Sequence, residues 1–309
     1  DTPQVLMVTL EGKLGTTELA RCHRSIREAE NMGCNVIFRI EDAGSQGESL
    51  SDLQSLLDQV QATDVSTTAV LRGRVTQGAA ALALCTTSTY MLKGAQWGEI
   101  AKPEKDIAAL LSQDPDKVQG AGFDSIRAVM QGRLDQRKNR LSPDAQKLAL
   151  AMADPRDRLV SATVREAGIE RSRVLNQDEL RVLIAAGATI IGESPMTQPL
   201  IVDAAEAEEF GLTSGTLDSY NQLLEWLNID SNLVGELNAN WAENMVAWLE
   251  LLAPFFLVMG FLMLLVEVKT PGTGLPGLLG VAFLALAMFQ RSRVGLAGLP
   301  ELVVFPPGL

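Results

Sequence analysis

Histidine is all but missing: the 309 residues include one, His23. That excludes metal sites built on several imidazoles and leaves His23 as the sole imidazole base. Cysteine is scarce too. Cys22, Cys34 and Cys85 are odd in number and lie in apolar segments, so they read as buried thiols rather than a disulfide framework. Basic residues are outnumbered, 26 Lys and Arg against 38 Asp and Glu, for a net charge of −12. Residues 250–309 hold three acids and three bases, so the whole excess, 35 acids against 23 bases, lies in 1–249. Such an acidic body lacks the basic footprint that sequence-independent nucleic-acid binding requires. The length allows one large domain or two modest ones. The chain begins at Asp1 and stops at Leu309 inside an apolar run, as expected of a fragment or processed form whose signal peptide, if any, lies upstream.

Hydrophobic runs are abundant, and all near the C-terminus. Leu251–Val266 carries sixteen residues without charge and Thr270–Phe289 another twenty. Crossing ~30 Å of hydrocarbon takes roughly 20 apolar residues, with ~17 as a lower limit. The second run meets this outright, and the first once Leu249 or Val268 joins it. Glu267 and Lys269 sit between them at an interface. We expect at least two transmembrane helices in 249–309, preceded by a linker helix over 229–248; a third span begins near Leu302. Trp241 and Trp248 stand where amphipathic rings favour the headgroup zone, or where they pack beneath an amphipathic helix. Arg291 and Arg293 outnumber Lys269, which by positive-inside counting favours the loop after the second run in the cytoplasm, but three charges do not fix the orientation.

The first 228 residues alternate strand and helix patterns. Apolar strands are predicted at Gln4–Leu10, Asn35–Ile40, Thr67–Leu71 and Thr89–Leu92. A helix capped by Thr16 or Thr17 carries Leu19, Cys22, Ile26 and Ala29 at helical spacing and ends at Gly33. A second, Ser49–Gln61, has a stripe of Leu50, Leu53, Leu56, Leu57 and Val60. This alternation implies an α/β fold with parallel pairing. Residues 103–185, rich in charge and helix formers, interrupt it as a helical insert. The pattern resumes with a strand at Thr189–Gly192 and helices at Ala204–Phe210 and Leu217–Leu227.

Turns after the strands of a parallel sheet are where sites form. Glu41–Gly47 could aim backbone N–H groups at an oxyanion, or be a plain loop. Gly73–Ala81 opens a helix of small residues whose start offers Thr76 and Gln77, neither a ready nucleophile. Lys269–Gly277 is a Pro/Gly turn without the Lys-Ser/Thr of a phosphate loop. His23 reads as a surface or boundary histidine. Glu206, Glu208 and Glu209 form the solvated face of a short helix, and no metal site is expected.

These segments resemble a known family. The runs VIFRIEDAGSQG, VLRGRVTQGAAALALCTTSTYMLKGAQWGEI and DAAEAEEFGL look like the Clp-protease/crotonase-type spiral domain of membrane-bound serine proteases. The EVKTPGTGLPG turn between hydrophobic runs looks like the hallmark of the NfeD family, which joins that domain to membrane spans. The similarity covers about 1–100 and 195–290, and its most specific part is the KTPGTGLPG turn in this domain order. In active relatives a small residue, a proline and two glycines form the oxyanion hole. Asp42, Ala43, Gly44 and Ser45 stand at those places, so one glycine survives. The relatives' nucleophilic serine, at the start of the helix before the Tyr-Met strand, corresponds to Gln77, followed by Gly78 and Ala79. Their base, a lysine further along on a helix, falls on Gln131, with Lys117 or Lys138 as alternatives.

A glutamine amide is not a nucleophile at neutral pH. The resemblance therefore implies a membrane-anchored, multi-pass, NfeD-type serine protease homologue without peptidase activity. Its body would lie outside the cytoplasm and act in binding or membrane-protein organisation. Expected partners are membrane lipid, stomatin-like membrane proteins or peptide segments, and further copies of the chain; no cofactor is expected. The alternative is an active endopeptidase with a nucleophile relocated to Ser45, Thr76 or Cys85, although burial would raise the pKa of Cys85. A crotonase-like acyl-CoA reaction is disfavoured, because the small-residue helix offers no paired glutamates.

Overall fold

The computed structural model describes residues 3–44, 50–101, 115–136, 141–166, 168–237, 241–269 and 275–293. The strands are β1 (Val5–Lys13), β2 (Asn35–Gly44), β3 (Thr67–Arg72), β4 (Arg74–Thr76), β5 (Ser88–Leu92), β6 (Gln96–Gly98), β7 (Leu159–Glu166), β8 (Ile169–Asn176), β9 (Thr189–Pro195), β10 (Ile201–Asp203), β11 (Gly215–Leu217) and β12 (Val234–Glu236). The helices are α1 (Thr16–Met32), α2 (Leu50–Ala62), α3 (Gln77–Cys85), α4 (Pro115–Gln136), α5 (Pro143–Ala153), α6 (Gln177–Ala185), α7 (Ala204–Glu209), α8 (Tyr220–Trp226), α9 (Trp241–Lys269) and α10 (Leu275–Arg293).

Six strands form one parallel sheet in the order β11-β5-β3-β2-β1-β12. Helices between successive parallel strands are what such pairing demands, so the α/β class expected from the sequence holds. One face buries Leu6, Val8, Leu10, Phe38, Ile40 and Leu71 in the main core, together with α1, α2 and α3. The other buries Val5, Ile37 and Val70 beneath Leu223 and Leu224 of α8. Strands buried on both faces read as continuous apolar runs, which is why VLMV and NVIF stand out in the sequence.

The helical stripes pack as their spacing predicts. Leu19, Cys22, Ile26 and Ala29 of α1 are buried, and so are Leu53, Leu56, Leu57 and Val60 of α2. Gly33, at φ +68, ends α1 in the left-handed conformation that glycine adopts without steric cost. The N-terminal cap differs from expectation. Gly15, not Thr16 or Thr17, holds that position, and the Glu18 carboxylate accepts its N–H at 3.0 Å. In α3 every residue from Gly78 to Cys85 is buried. Its small side chains admit the fully buried Trp97, whose indole N–H donates to the Ala80 carbonyl at 3.2 Å.

Three expectations change. β2 runs on through Glu41–Gly44, a stretch read as a loop, and pairs with β1 up to Lys13 opposite Gly44. The segment read as a helical insert contains strands: β7 and β8 form an antiparallel hairpin, and β9 pairs antiparallel with β7 instead of resuming the parallel pattern. Leu180, Leu183 and Ile190 close a small core over Ala162, Val164 and Leu175. The stretch read as a linker helix holds a 3-10 turn, Ser231–Leu233, and β12 on the edge of the main sheet before α9 begins at Trp241.

Helices α9 and α10 form a hairpin. Gly260 and Gly280 bring the two backbones so close that a Cβ on Gly260 would lie 3.1 Å from the Gly280 carbonyl. Phe256 stacks on Phe283 with ring centroids 5.8 Å apart, and the Glu267 carboxylate accepts the Gly277 N–H at 3.3 Å in the first turn of α10. Among the described residues no helix is both long and apolar enough to cross a membrane.

Candidate active site at a strand-to-helix turn

β2, β3, β4 and β6 bring their ends to one place, where the backbone is strained. Four non-glycine residues among those described have positive φ, and three of them meet here: Asp42 (+43°), Gln77 (+54°) and Glu99 (+46°). Each such conformation costs about 1–3 kcal/mol and persists only where neighbours fix it.

Those neighbours are identifiable. Gln77, the first residue of α3, donates its N–H to the Glu99 carbonyl at 2.9 Å, while the Glu99 N–H donates to the Leu200 carbonyl at 2.8 Å. The Glu99 carboxylate pairs with the Arg74 guanidinium at 2.9 Å. Asp42 accepts the Arg74 N–H on its Oδ1 at 2.9 Å. Gly73, between β3 and β4, is required twice over. Its φ is +64°, and a Cβ would sit 2.0 Å from Asp42 Oδ1. Gly44 lies against Thr76, whose hydroxyl would be 2.7 Å from a Cβ on Gly44. Beside the turn Glu41 is buried between Arg39 and Arg72.

Of the residues singled out from the sequence, Gly44, Thr76, Gln77 and Gly78 come together, while Ser45 lies outside the described residues. Gly78 is buried directly behind Gln77. Gln131 is exposed on α4, and its side-chain amide donates to Asp135 of the same helix at 3.1 Å. Its buried neighbours Met130 and Leu134 face the core instead. The Lys117 side chain and the whole of Lys138 lie outside the described residues. Cys85 is buried at the far end of α3, about 12 Å along the axis from Gln77 at 1.5 Å per residue.

His23 bonds through Nδ1 to the Gln59 side chain, joining α1 to α2 as a boundary histidine. Glu206 and Asp203 form a reciprocal capping box at the start of α7. Among the described residues no cluster of His, Cys, Asp and Glu suits a metal. Arg74 and Glu99 carry no signal in the sequence as site residues, and Asp42 stands out there only at the degraded oxyanion-hole position. Aspartate tolerates a left-handed backbone, but nothing local in Gln77 or Glu99 signals one.

Chemically, the turn offers an amide side chain at a helix start, with flanking guanidinium and carboxylate groups. Gln77 can donate and accept hydrogen bonds to a peptide, but it supplies no lone pair suited to attack a carbonyl.

Residues 251–309 match the family described as the NfeD integral membrane domain. The membrane protein NfeD1b of Bacillus subtilis is 25% identical over 289 residues, 93% of this chain and 56% of that protein. The chain therefore spans about half the length of that relative. Among solved structures, a mutant of a membrane-bound stomatin-specific protease in complex with a substrate peptide is 13% identical with a TM-score of 0.48, covering 80% of this chain and 97% of that one. A membrane protease specific for a stomatin homologue from Pyrococcus horikoshii is 11% identical with a TM-score of 0.45, over 80% and 98%. The membrane-domain match and the NfeD1b similarity bear out the resemblance drawn from the KTPGTGLPG turn.

Proposed function

We propose that this chain, which carries the NfeD integral membrane domain, is a membrane-anchored serine protease homologue that binds peptide segments without cleaving them. The observation that carries this reading is Gln77: an amide, not a hydroxyl or thiol, occupies the strained junction of β4 and α3. A nucleophile gains most from such a junction, because a sharp strand-to-helix turn presents its side chain beside the positive end of the helix dipole. The Clp-protease/crotonase-like assignment of the body, residues 1–228, rests on its parallel α/β order and on the sequence runs around Gly44 and Gln77.

Anchoring is assigned to the matched membrane domain over residues 251–309, whose described part lies in the α9–α10 hairpin, seated in lipid, although neither helix alone meets the length and apolarity of a span. The family resemblance, rather than the few flanking charges, supports placing the acidic body outside the cytoplasm. Phe255, Val258, Phe261, Leu278 and Val281 are exposed on the hairpin. A helix pair that is apolar on its outward faces suits lipid, and close glycine contacts are typical of packed membrane helices. The ligand class that fits is an extended segment of a stomatin-like membrane protein.

The test is incubation of the full chain in detergent with casein and with peptides tiled across a stomatin-like protein, read by mass spectrometry and by fluorescence anisotropy. Saturable anisotropy with intact peptides is expected. Cleavage by the native chain, above all cleavage lost in Ser45→Ala or Thr76→Ala, would overturn the reading, as would the absence of any binding.

A further inference from the structure

Away from Gln77, a groove of about 600 Å³ runs between the start of α5 and the outer edge of β8, with Ser142, Asp144, Ile169, Arg171, Ser172 and Arg173 in its walls. Among the described residues β8 is an edge strand, paired with β7 alone in the sheet order β8-β7-β9. The Lys147 ammonium donates to the Val174 carbonyl at 3.0 Å, which places that carbonyl on the side of β8 away from β7. Backbone groups of alternate residues point to the same side of a strand. Ser172, two residues earlier, therefore turns its N–H and C=O into the groove.

Arg171 and Arg173 lie opposite Val164 and Ala162 in the ladder, so both side chains project from one face of the sheet. No ion pair of Arg171 or of Arg173 occurs among the described residues, and Arg173 acts on Glu179 through its charge. On the far wall, Asp144 Oδ1 is buried without a hydrogen-bond partner, 3.8 Å from the Lys147 ammonium. The groove thus presents an open strand edge, two guanidinium groups two residues apart, and an acceptor lacking a donor. In a chain of net charge −12 this is a local basic surface.

We propose that the β8 edge is a docking site for an extended acidic polypeptide segment, added as a fourth strand of this sheet. Its backbone pairs with Ser172, and carboxylates at alternate positions meet Arg171 and Arg173, the spacing at which side chains share one face of a strand. One of its N–H donors reaches Asp144. Main-chain pairing supplies affinity, and the arginines select charge.

The probe is a fluorescein-labelled decapeptide of alternating Glu and Val, titrated into the full chain in detergent and read by anisotropy. Saturable binding is expected, weakened at least tenfold by N-methylation of the alternate amides that face β8, which leaves the protein untouched. Ser172→Pro is expected to weaken it similarly. The double variant Arg171→Glu, Arg173→Glu is expected to prefer the Lys/Val counterpart. The proposal is overturned if N-methylation changes nothing, if the Lys/Val peptide binds the unaltered chain equally well, or if no saturable binding occurs. It is equally overturned if the double variant loses only binding to phosphatidylglycerol vesicles, since the arginines then serve lipid.

Discussion

Replacing Gly73 by alanine probes the geometry on which the site depends. The backbone there is left-handed, at φ +64°, and the new Cβ would begin 2.0 Å from Asp42 Oδ1. A Cβ in that conformation costs about 1–2 kcal/mol. Displacing the Asp42 carboxylate breaks its hydrogen bond to the Arg74 N–H, worth about 1 kcal/mol at an exposed site. The lower chain entropy of unfolded alanine returns roughly 0.5 kcal/mol. The net loss is about 2 kcal/mol, which shifts a urea midpoint down by about 0.7 M for a slope of roughly 3 kcal/mol per molar. Unfolding of the detergent-solubilised chain can be followed through tryptophan fluorescence, to which the buried Trp97 contributes. Because the clash is with one side chain, Asp42→Gly combined with Gly73→Ala is expected to be non-additive, the double variant recovering about 1 kcal/mol of the summed losses. A midpoint unchanged within 0.2 M, or strict additivity, would refute the proposed contact between the ends of β2 and β3.

Other consequences are equally open to measurement. Hydrogen bonds from Arg156 hold the Asp154 carboxyl below its ordinary pKa of 3.8, against the opposing effect of burial. A depressed folded-state pKa stabilises above the unfolded value and ceases to do so as pH falls through the folded one. The stability gap between the native chain and Asp154→Asn should therefore be constant near neutrality and narrow below pH 3.8; a gap that widens in acid would contradict this. Burial pushes the Cys22 thiol up to about 12, and all three cysteines are buried and outside any disulfide. Ellman's reagent should find no prompt thiol in the native chain and three after denaturation; rapid native reaction of Cys85 would revive it as a nucleophile. In the hairpin, Gly260→Leu starts with a Cβ 2.8 Å from Leu284 Cγ. It should lower the thermal midpoint of the helical signal in detergent, and an unchanged midpoint would contradict the close packing of α9 on α10.

The sequence made the large elements legible for a physical reason: β1, β2 and β3 are buried on both faces, and α1 and α2 bury a single stripe. Hydrophobic periodicity reports both situations directly. It says little about strands of three residues, so β4, β6, β10, β11 and β12 escaped notice, although β4 and β6 build the site. The hairpin of β7 and β8 was hidden by its charges, because Arg171 and Arg173 on the open edge break the apolar alternation that marks a buried strand. At the site, the helix start before the Tyr-Met strand marks Gln77 in the sequence. The strain that distinguishes this position arises from contacts between Asp42, Gly73, Arg74 and Glu99, whose separations in sequence no local pattern connects.

The central claim is that no side chain at the β4–α3 turn can form a covalent bond with an acyl or phosphonyl electrophile. Intact-mass spectrometry of the full chain after prolonged exposure to a fluorophosphonate tests it directly. The account predicts an unmodified mass for the native chain. A stoichiometric adduct on Thr76 or another residue of that turn, or on Ser45, would contradict the inactive reading and leave a working serine-type peptidase in its place.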